Sequence, residues 1–497
     1  MPKDFFSVDR TTSLHSLAAG SKIHVIGVCG VAMAQISVAL VERGFVVSGS
    51  DKEFYEPMKS VLARSKVAIH TGYAGENVPL DAALVVIGNS ISYGNPEVEV
   101  VEKHNLPYTC FPKILQEVAI SGKHSVVVTG THGKSTTTAL IATVLLQGGK
   151  EPSYFVGGVA QGLPNSLAVG KGGFSVVEGD EYDSAFFAKV PKFSFYTPDT
   201  VVVNAIEYDH ADIYANVEAI EAEFTKLVTG LTAGGTAICC IDFPRVKRLV
   251  QEWKRTARCS IVTFGRDASA DYVISHRDTV GMSQRVTVRG AGLGDLTFSI
   301  PMVGEYNARN ALAAVLVAKT VGLDIPKTVS ILESFKAVKR RQEVRSQRGG
   351  VVLIEDFAHH PTAVQQTVEA VREAFPKARI WAVFEPRSNT SRRKVFQDDY
   401  VAAFKKADRV VLKNVAARAI DAGIELIDVQ VLSDAISASG VKAACLPDAQ
   451  AIRDALWAEI KPHADVSEPK DVVFVMSNGS FDGLNELLQA DLERLCS

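Results

Sequence analysis

A short apolar run, then a glycine turn, then helical spacing recurs along this chain, and that grammar admits few folds. Ile23-His24-Val25-Ile26-Gly27 reads as a buried strand. Residues 31 to 43 carry Met33, Ile36, Ala39 and Leu40 at helical spacing, and Phe45-Val46-Val47-Ser48-Gly49 is a second strand. The alternation returns at Ser125 to Gly130, Val201 to Asn204, Val351 to Asp356, Ile380 to Phe384, Arg409 to Leu412 and Asp471 to Ser477. Strands separated by crossover helices lie parallel with both sheet faces covered, so the class is α/β. A chain of 497 residues exceeds one hydrophobic core. Three strands run straight into special turns, after Ile26, Thr129 and Val475, and ligands bind at such strand ends. Three domains in series are expected, at 1–112, 113–334 and 335–497. Between 234 and 300 the helical pattern weakens, and Tyr272-Val273-Ile274-Ser275 and Arg285-Val286-Thr287-Val288 read as half-buried strands of a mixed sheet.

Composition removes several function classes. A formal net charge of -3 offers no basic footprint for nucleic acid. The cysteines, at 29, 110, 239, 240, 259, 445 and 496, are odd in number and form no CxxC pair. That argues against a zinc ribbon and a disulfide framework, and for a reducing compartment. Met1-Pro2-Lys3-Asp4-Phe5-Phe6 shows no basic region leading into an apolar core, and no apolar run reaches the roughly 18 residues that cross a bilayer. A cytoplasmic protein is expected, without membrane or nucleic-acid partners, as a monomer or weak homo-oligomer.

The first motif is Gly27-Val28-Cys29-Gly30-Val31-Ala32-Met33, between a strand and a helix. Glycines there let the backbone approach a diphosphate, and the helix N-terminus supplies amide donors. Ser50-Asp51 ends the second strand, where an acidic side chain commonly meets a ribose hydroxyl. Cys29 stands where the dinucleotide fingerprint needs its second glycine, which disfavours NAD. A nucleotide or nucleotide-sugar diphosphate, or a tight turn without ligand, remains. The candidates are Gly27, Cys29, Gly30, Val31, Met33, Ser50 and Asp51, with Asn89 and Ser90 closing a further strand.

The second motif is Gly130-Thr131-His132-Gly133-Lys134-Ser135, between the strand Ser125 to Thr129 and a helix opening at Thr136. Its amides can cradle phosphates, Lys134 can neutralise the β and γ groups of ATP, and Ser135 can hold magnesium. The strict P-loop pattern wants glycine at Val128, so the match is partial. Two strands then end in acid: Glu178-Gly179-Asp180-Glu181-Tyr182-Asp183, and Asn204 to Asp209-His210. Carboxylates crowded this way repel unless a cation sits among them, and oxygen ligands with one imidazole suit magnesium held with phosphates. A nicotinamide-dependent oxidoreductase could use the first motif but leaves this second set without a purpose.

These motifs, with Gly304-Glu305-Tyr306-Asn307-Ala308-Arg309-Asn310, Lys339-Arg340-Arg341 and Asp356-Phe357-Ala358-His359-His360-Pro361, resemble the Mur ligases over essentially the whole chain. The resemblance implies a Rossmann-like UDP-sugar domain, a central P-loop ATPase domain and a Rossmann-like C-terminal domain that brings the amine. It implies that Lys134 binds the γ-phosphate and that Ser135, Glu181 and His210 hold magnesium. Thr136 belongs to the same nucleotide loop. Asn307 and Asn310, at i and i+3, match the adenine contacts; Arg341 matches the arginine reaching ATP from the hinge, and Asp356 the ribose and hinge aspartate. His359 and His360 open the following helix, and His359 is a substrate-binding candidate. The Gly27 to Met33 loop resembles the branch using UDP-N-acetylmuramate, whose amine is either L-alanine or the tripeptide L-alanyl-γ-D-glutamyl-meso-diaminopimelate. Tyr182, Ser184 to Phe187, Glu385 to Thr390 and Met476 to Phe481 resemble the tripeptide users. Arg387 and Asn389 are the candidates for the peptide, because a guanidinium grips carboxylates bidentately. Ser135 stands in place of a more usual threonine, and Gln342 in place of an apolar residue.

Overall fold

The computed structural model describes residues 5–210, 213–415, 425–462 and 468–495; Met1 to Asp4 and Cys496 lie outside them. The chain divides into two compact units. The first holds residues up to Tyr208, Ala215–Asp271 and Leu312–Ile331, and the second holds Asp209–Tyr214, Tyr272–Ala311 and everything from Leu332 on.

Among its described residues the first unit contains two larger sheets and a two-stranded hairpin. One is fully parallel, in the order Ala68–Thr71, Val46–Asp51, Lys22–Ile26, Leu84–Ile87, Tyr108–Cys110. Ile26 pairs with both Ser50 and Ile87, so three strand ends stop at one level and deliver Gly27, Asp51 and Gly88 side by side. Continuous burial from Ile23 to Ile26 and from Leu84 to Ile87 is what a sheet covered on both faces demands. The other sheet runs Ser260–Gly265, Thr236–Cys240, Thr200–Val203, His124–Thr129, Phe174–Glu178, Ser153–Phe155, Leu167–Ala168, parallel except for its last pair. Thr129 pairs with Val203 and Val128 with Glu178, which levels the glycine loop with both acidic turns. A hairpin, Asp183–Ala185 with Ala188–Pro191, carries Phe186 and Phe187 at its tip; these rings meet Phe6 and Tyr108 at centroid distances of 5.1–6.0 Å. Trp253 is fully buried and donates to Thr225 Oγ1 (3.1 Å).

The second unit pairs Tyr272–Val280, Ser283–Gly290 and Gly294–Ile300 as an antiparallel meander. It also has a six-stranded sheet, Glu343–Arg348, Val351–Asp356, Asp471–Met476, Arg379–Phe384, Arg409–Lys413, Lys442–Leu446, antiparallel only at the first pair. Asp356 and Phe384 both pair with Met476, so the turns that follow these three strands are neighbours. Trp381 donates to Asp471 Oδ1 (2.9 Å) and Trp457 to Asp491 Oδ2 (2.8 Å).

Three local expectations need correction. The helix after the glycine loop spans Lys134–Gln147, two residues earlier than read, because Gly133 adopts φ +80° and caps it. Within 234–300 a full helix, Pro244–Thr256, precedes the meander. Its charged surface hid a stripe of Val246, Leu249, Val250 and Trp253, all buried and spaced for one helical face. The antiparallel edge Glu343–Arg348 was not read either, since its residues are mostly polar and none of them is buried.

Candidate active site

The glycine loop leaves a strand whose Val126, Val127 and Val128 are fully buried. At Gly130, with φ +120°, a Cβ would stand 2.7 Å from Ala205 N and 2.9 Å from Ala205 O, so only glycine lets the loop pass the neighbouring strand end. Thr131 N then donates to Ala205 O (2.9 Å), Glu207 N donates to Thr131 Oγ1 (2.9 Å), and His132 Nε2 lies 2.5 Å from Glu207 Oε2. Lys134, first residue of the helix, folds back to Gly130 O (2.9 Å) and to both Glu181 oxygens (2.8 and 3.0 Å), with Asp180 at 3.9 Å. Ser135 Oγ donates to Glu178 (3.1 Å), whose other oxygen accepts Gly157 N (2.5 Å). Thr136 is buried at the third helical position, and Asn204 Nδ2 donates to Thr137 Oγ1 (3.0 Å).

The charge balance of this cluster is instructive. Glu178, Asp180 and Glu181 are buried, against two ammonium groups, Lys134 and Lys192. Burial lowers the Lys134 pKa, but Glu181 and Asp180 outweigh it and hold the lysine above its usual value. Burial also opposes ionisation of Asp180, yet Lys192 and Lys134 keep it below the normal carboxylate range. Glu178 has no cation of its own, and burial plus the Asp180 charge push it up. The Ser135 hydroxyl and the Glu181 carboxylate are hard oxygen donors of the kind magnesium takes alongside phosphates.

At the first motif, Gly27 turns at φ +85° and Gly30 caps the helix Val31–Glu42, in which Met33 is buried. Asp51 accepts Cys29 N (2.7 Å), Lys52 N (2.7 Å) and the Tyr73 hydroxyl (3.1 Å), so its carboxylate braces the turn. The Cys29 thiol is buried, accepts Tyr55 N (3.4 Å), and has its pKa raised chiefly by burial. Ser50 donates to the buried Glu97 carboxylate, which also accepts Asn77 Nδ2 (2.8 Å) and Ala74 N (3.2 Å) and faces His24 Nε2 (3.4 Å). Asn89 and Ser90 are exposed just beyond the strand Leu84–Ile87.

The second unit gathers the remaining candidates in three places. Asn307 donates to Val303 O (2.9 Å) and Gln342 Oε1 (3.2 Å), and Asn310 donates to Asn307 Oδ1 (3.3 Å), so the pair shares a face. Asp356 accepts Gln342 N (2.8 Å) and Ala358 N (2.7 Å); burial raises its pKa against the opposing Arg341 charge, and the Arg341 guanidinium sits 4.8 Å from the Phe357 ring centre. His210, at φ +51°, donates its backbone N–H to Asp209 (2.7 Å), and the Thr390 hydroxyl donates to the same oxygen (2.5 Å). Burial opposes ionisation of Asp209, but His210, His359 and His360 hold it far below the usual carboxylate range. His359 Nδ1 lies 3.0 Å from Phe357 O, and His360 caps the helix Pro361–Ala374. Arg387 and Asn389 are exposed in the turn after Arg379–Phe384.

The structure thus joins Gly130 to Thr136 with Glu181 in one unit, and His210, Asn307, Asn310, Arg341 and Asp356 in the other. Sequence reasoning missed Glu97, Glu178, Lys192, Asp209, Thr390 and the role of Gln342. Glu178 and Asp209 lay inside quoted motifs; for Glu97 and Lys192 only the fold carried a signal.

Family descriptions match along most of the chain: "Mur ligase family, catalytic domain" over residues 22–122, "Mur ligase middle domain" over 128–318 and "Mur ligase, glutamate ligase domain" over 340–479. The UDP-N-acetylmuramate–L-alanyl-γ-D-glutamyl-meso-2,6-diaminoheptandioate ligase of Escherichia coli is 33% identical, covering 94% of this chain and 97% of its own. The chain belongs to the Mur ligase family. A UDP-N-acetylmuramate–L-alanine ligase of Salinibacter ruber is 34% identical over 79% of this chain and 80% of its own. Among solved structures, a murein peptide ligase from Psychrobacter arcticus has a TM-score of 0.68 at 28% identity, covering 95% of this chain and 99% of that one. This Mur ligase is therefore an ATP-dependent ligase with three family domains in series on α/β sheets.

Proposed function

We propose that this Mur ligase joins the carboxylate of UDP-N-acetylmuramate to the amino group of L-alanyl-γ-D-glutamyl-meso-diaminopimelate through an acyl phosphate, releasing ADP and phosphate. The near full-length similarity to the E. coli ligase named for that reaction carries the reading. The domains proposed are 1–112 for the UDP-sugar, 113–334 for ATP and 335–497 for the amine, in a cytoplasmic monomer or weak homo-oligomer.

In this reading Gly130 to Thr136 cradle the phosphates, and Lys134 exchanges Glu181 for the γ-phosphate. Two anions, the muramate carboxylate and ATP, must meet, so positive charge at the transferring group dominates the barrier. Ser135 and Glu181, with His210, would hold magnesium, which would supply further charge neutralisation. Asn307 and Asn310 would bind adenine, and Arg341 and Asp356 would place the nucleotide. Gly27, Cys29, Gly30, Val31, Met33, Ser50, Asp51, Asn89 and Ser90 would form the UDP-sugar site. His359, Arg387 and Asn389 would meet the peptide.

Addition of free L-alanine is the second reading, favoured by the similarity to the S. ruber ligase. ADP release with UDP-N-acetylmuramate plus either amine separates them. A kcat/KM at least tenfold higher for the tripeptide is expected; preference for L-alanine would overturn the amine assignment.

A further inference from the structure

The turns after Arg379–Phe384 and Asp471–Met476 are neighbours, because Phe384 pairs with Met476. Across them, the Arg387 side chain lies directly on the Cα of Gly479. A Cβ at 479 would stand 1.8 Å from Arg387 Nη1, 2.3 Å from Cζ and 2.5 Å from Cδ. No side chain other than hydrogen fits between them.

Which partner would yield is decided by how each is held. Gly479 is fixed through its backbone: its N–H donates to Ser477 Oγ (2.9 Å), and its carbonyl accepts from Arg340 Nη2. The same Arg340 nitrogen donates to Ser477 O (2.7 Å), and Ser477 Oγ donates to Glu385 Oε2 (2.6 Å). Arg340 is itself anchored, with Nε on Glu355 (2.8 Å), its N–H on Glu343 (2.8 Å) and a left-handed φ of +59°. What a Cβ at 479 would meet is the outer part of the long, exposed Arg387 side chain and not backbone. A side chain at 479 therefore displaces the guanidinium and leaves the turn in place.

We infer that Gly479 and Arg340 are positioning residues that seat Arg387 for a carboxylate of the amino substrate. The inference deepens the peptide reading and rests on it for the identity of that substrate. A guanidinium recognises a carboxylate by two parallel hydrogen bonds, which fail when its plane moves by about an ångström. Arg340 is adjacent in sequence to Arg341, the residue proposed to reach ATP.

The test is a kinetic cycle on the full chain: wild type, Gly479→Ala, Arg387→Ala and the double variant, with Arg340→Gln alongside. Gly479→Ala should raise the tripeptide KM about tenfold, the scale of one charged hydrogen bond. It should leave the KM for ATP and UDP-N-acetylmuramate, the kcat at saturating peptide and the melting temperature within about twofold or 2 °C of wild type. In the Arg387→Ala background the same change should add less than twofold, and Arg340→Gln should raise the tripeptide KM in the same direction. An unchanged tripeptide KM in Gly479→Ala, or effects of the two changes that multiply in full, would overturn the inference. If wild type prefers L-alanine the peptide reading fails, and the cycle run on the L-alanine KM decides the seat by the same criteria.

Discussion

Replacing Lys134 with methionine tests the charge balance at the glycine loop. The lysine side chain is 13% exposed and Glu181 only 1%, at 2.8 Å. Removing one member of a buried pair leaves the other charge uncompensated, a cost of about 3–5 kcal/mol. Gly130 O also loses its donor, about 1 kcal/mol more. Asp180 keeps Lys192, and Glu181 can relieve itself by taking a proton, so the lower end applies and the total is about 4 kcal/mol. In a unit of this size each kcal/mol moves a melting transition by about 2–4 °C, so calorimetry at pH 8 should show a drop of about 8–16 °C. Two further arms fix the cause. Lys134→Met/Glu181→Gln should recover more than half the loss, because neither member of the pair is then charged. A buried carboxylate left without a cation takes up a proton as pH falls, so the deficit should be smaller at pH 5 than at pH 8. A single variant melting within 2 °C of wild type at pH 8, or a double variant no better than the single, would refute the pairing argument. Phosphate release should be abolished in both.

Other perturbations read different parts of the site. Gly130→Ala meets backbone at 2.7 Å in a conformation unfavourable to side chains, so it should cost about 3 kcal/mol in urea unfolding and remove ATP-dependent turnover. Glu97 is desolvated, but hydrogen bonds from His24, Ser50 and Asn77 keep its pKa below the ordinary value. Its stabilisation is therefore complete above that ordinary value and lost as pH falls through the folded one, and Glu97→Gln should flatten the acid limb of a pH–stability curve. Thr390→Val removes the 2.5 Å hydrogen bond to the buried Asp209 carboxylate and should lower stability by about 1.5–3 kcal/mol in denaturant titration; no change would remove that bond from the account.

The strand–turn–helix grammar was legible because buried parallel strands must be apolar throughout, as Val126 to Val128 and Leu84 to Ile87 are. The helix Pro244–Thr256 escaped because four apolar residues among charges make a narrow stripe. At the site, Lys134, Glu181, Asn307, Asn310 and Asp356 could be named because their motifs are contiguous in sequence. Glu97 and Lys192 could not: each works through partners 10 or more residues away, His24 and Ser50 for one, Tyr182 and Asp180 for the other. The requirement for glycine at 479 likewise comes from Arg387, 92 positions earlier, and no local pattern encodes it.

The three tryptophans give the molecule a built-in optical readout. Trp253 is sealed in the first unit, while Trp381 and Trp457 belong to the second, each with its indole N–H bound to an aspartate. Trp253→Phe leaves emission that reports on the second unit alone, and Trp381→Phe/Trp457→Phe leaves a single lamp in the first. Whether nucleotide steadies one half before the other can then be watched as colour and intensity, with no dye attached.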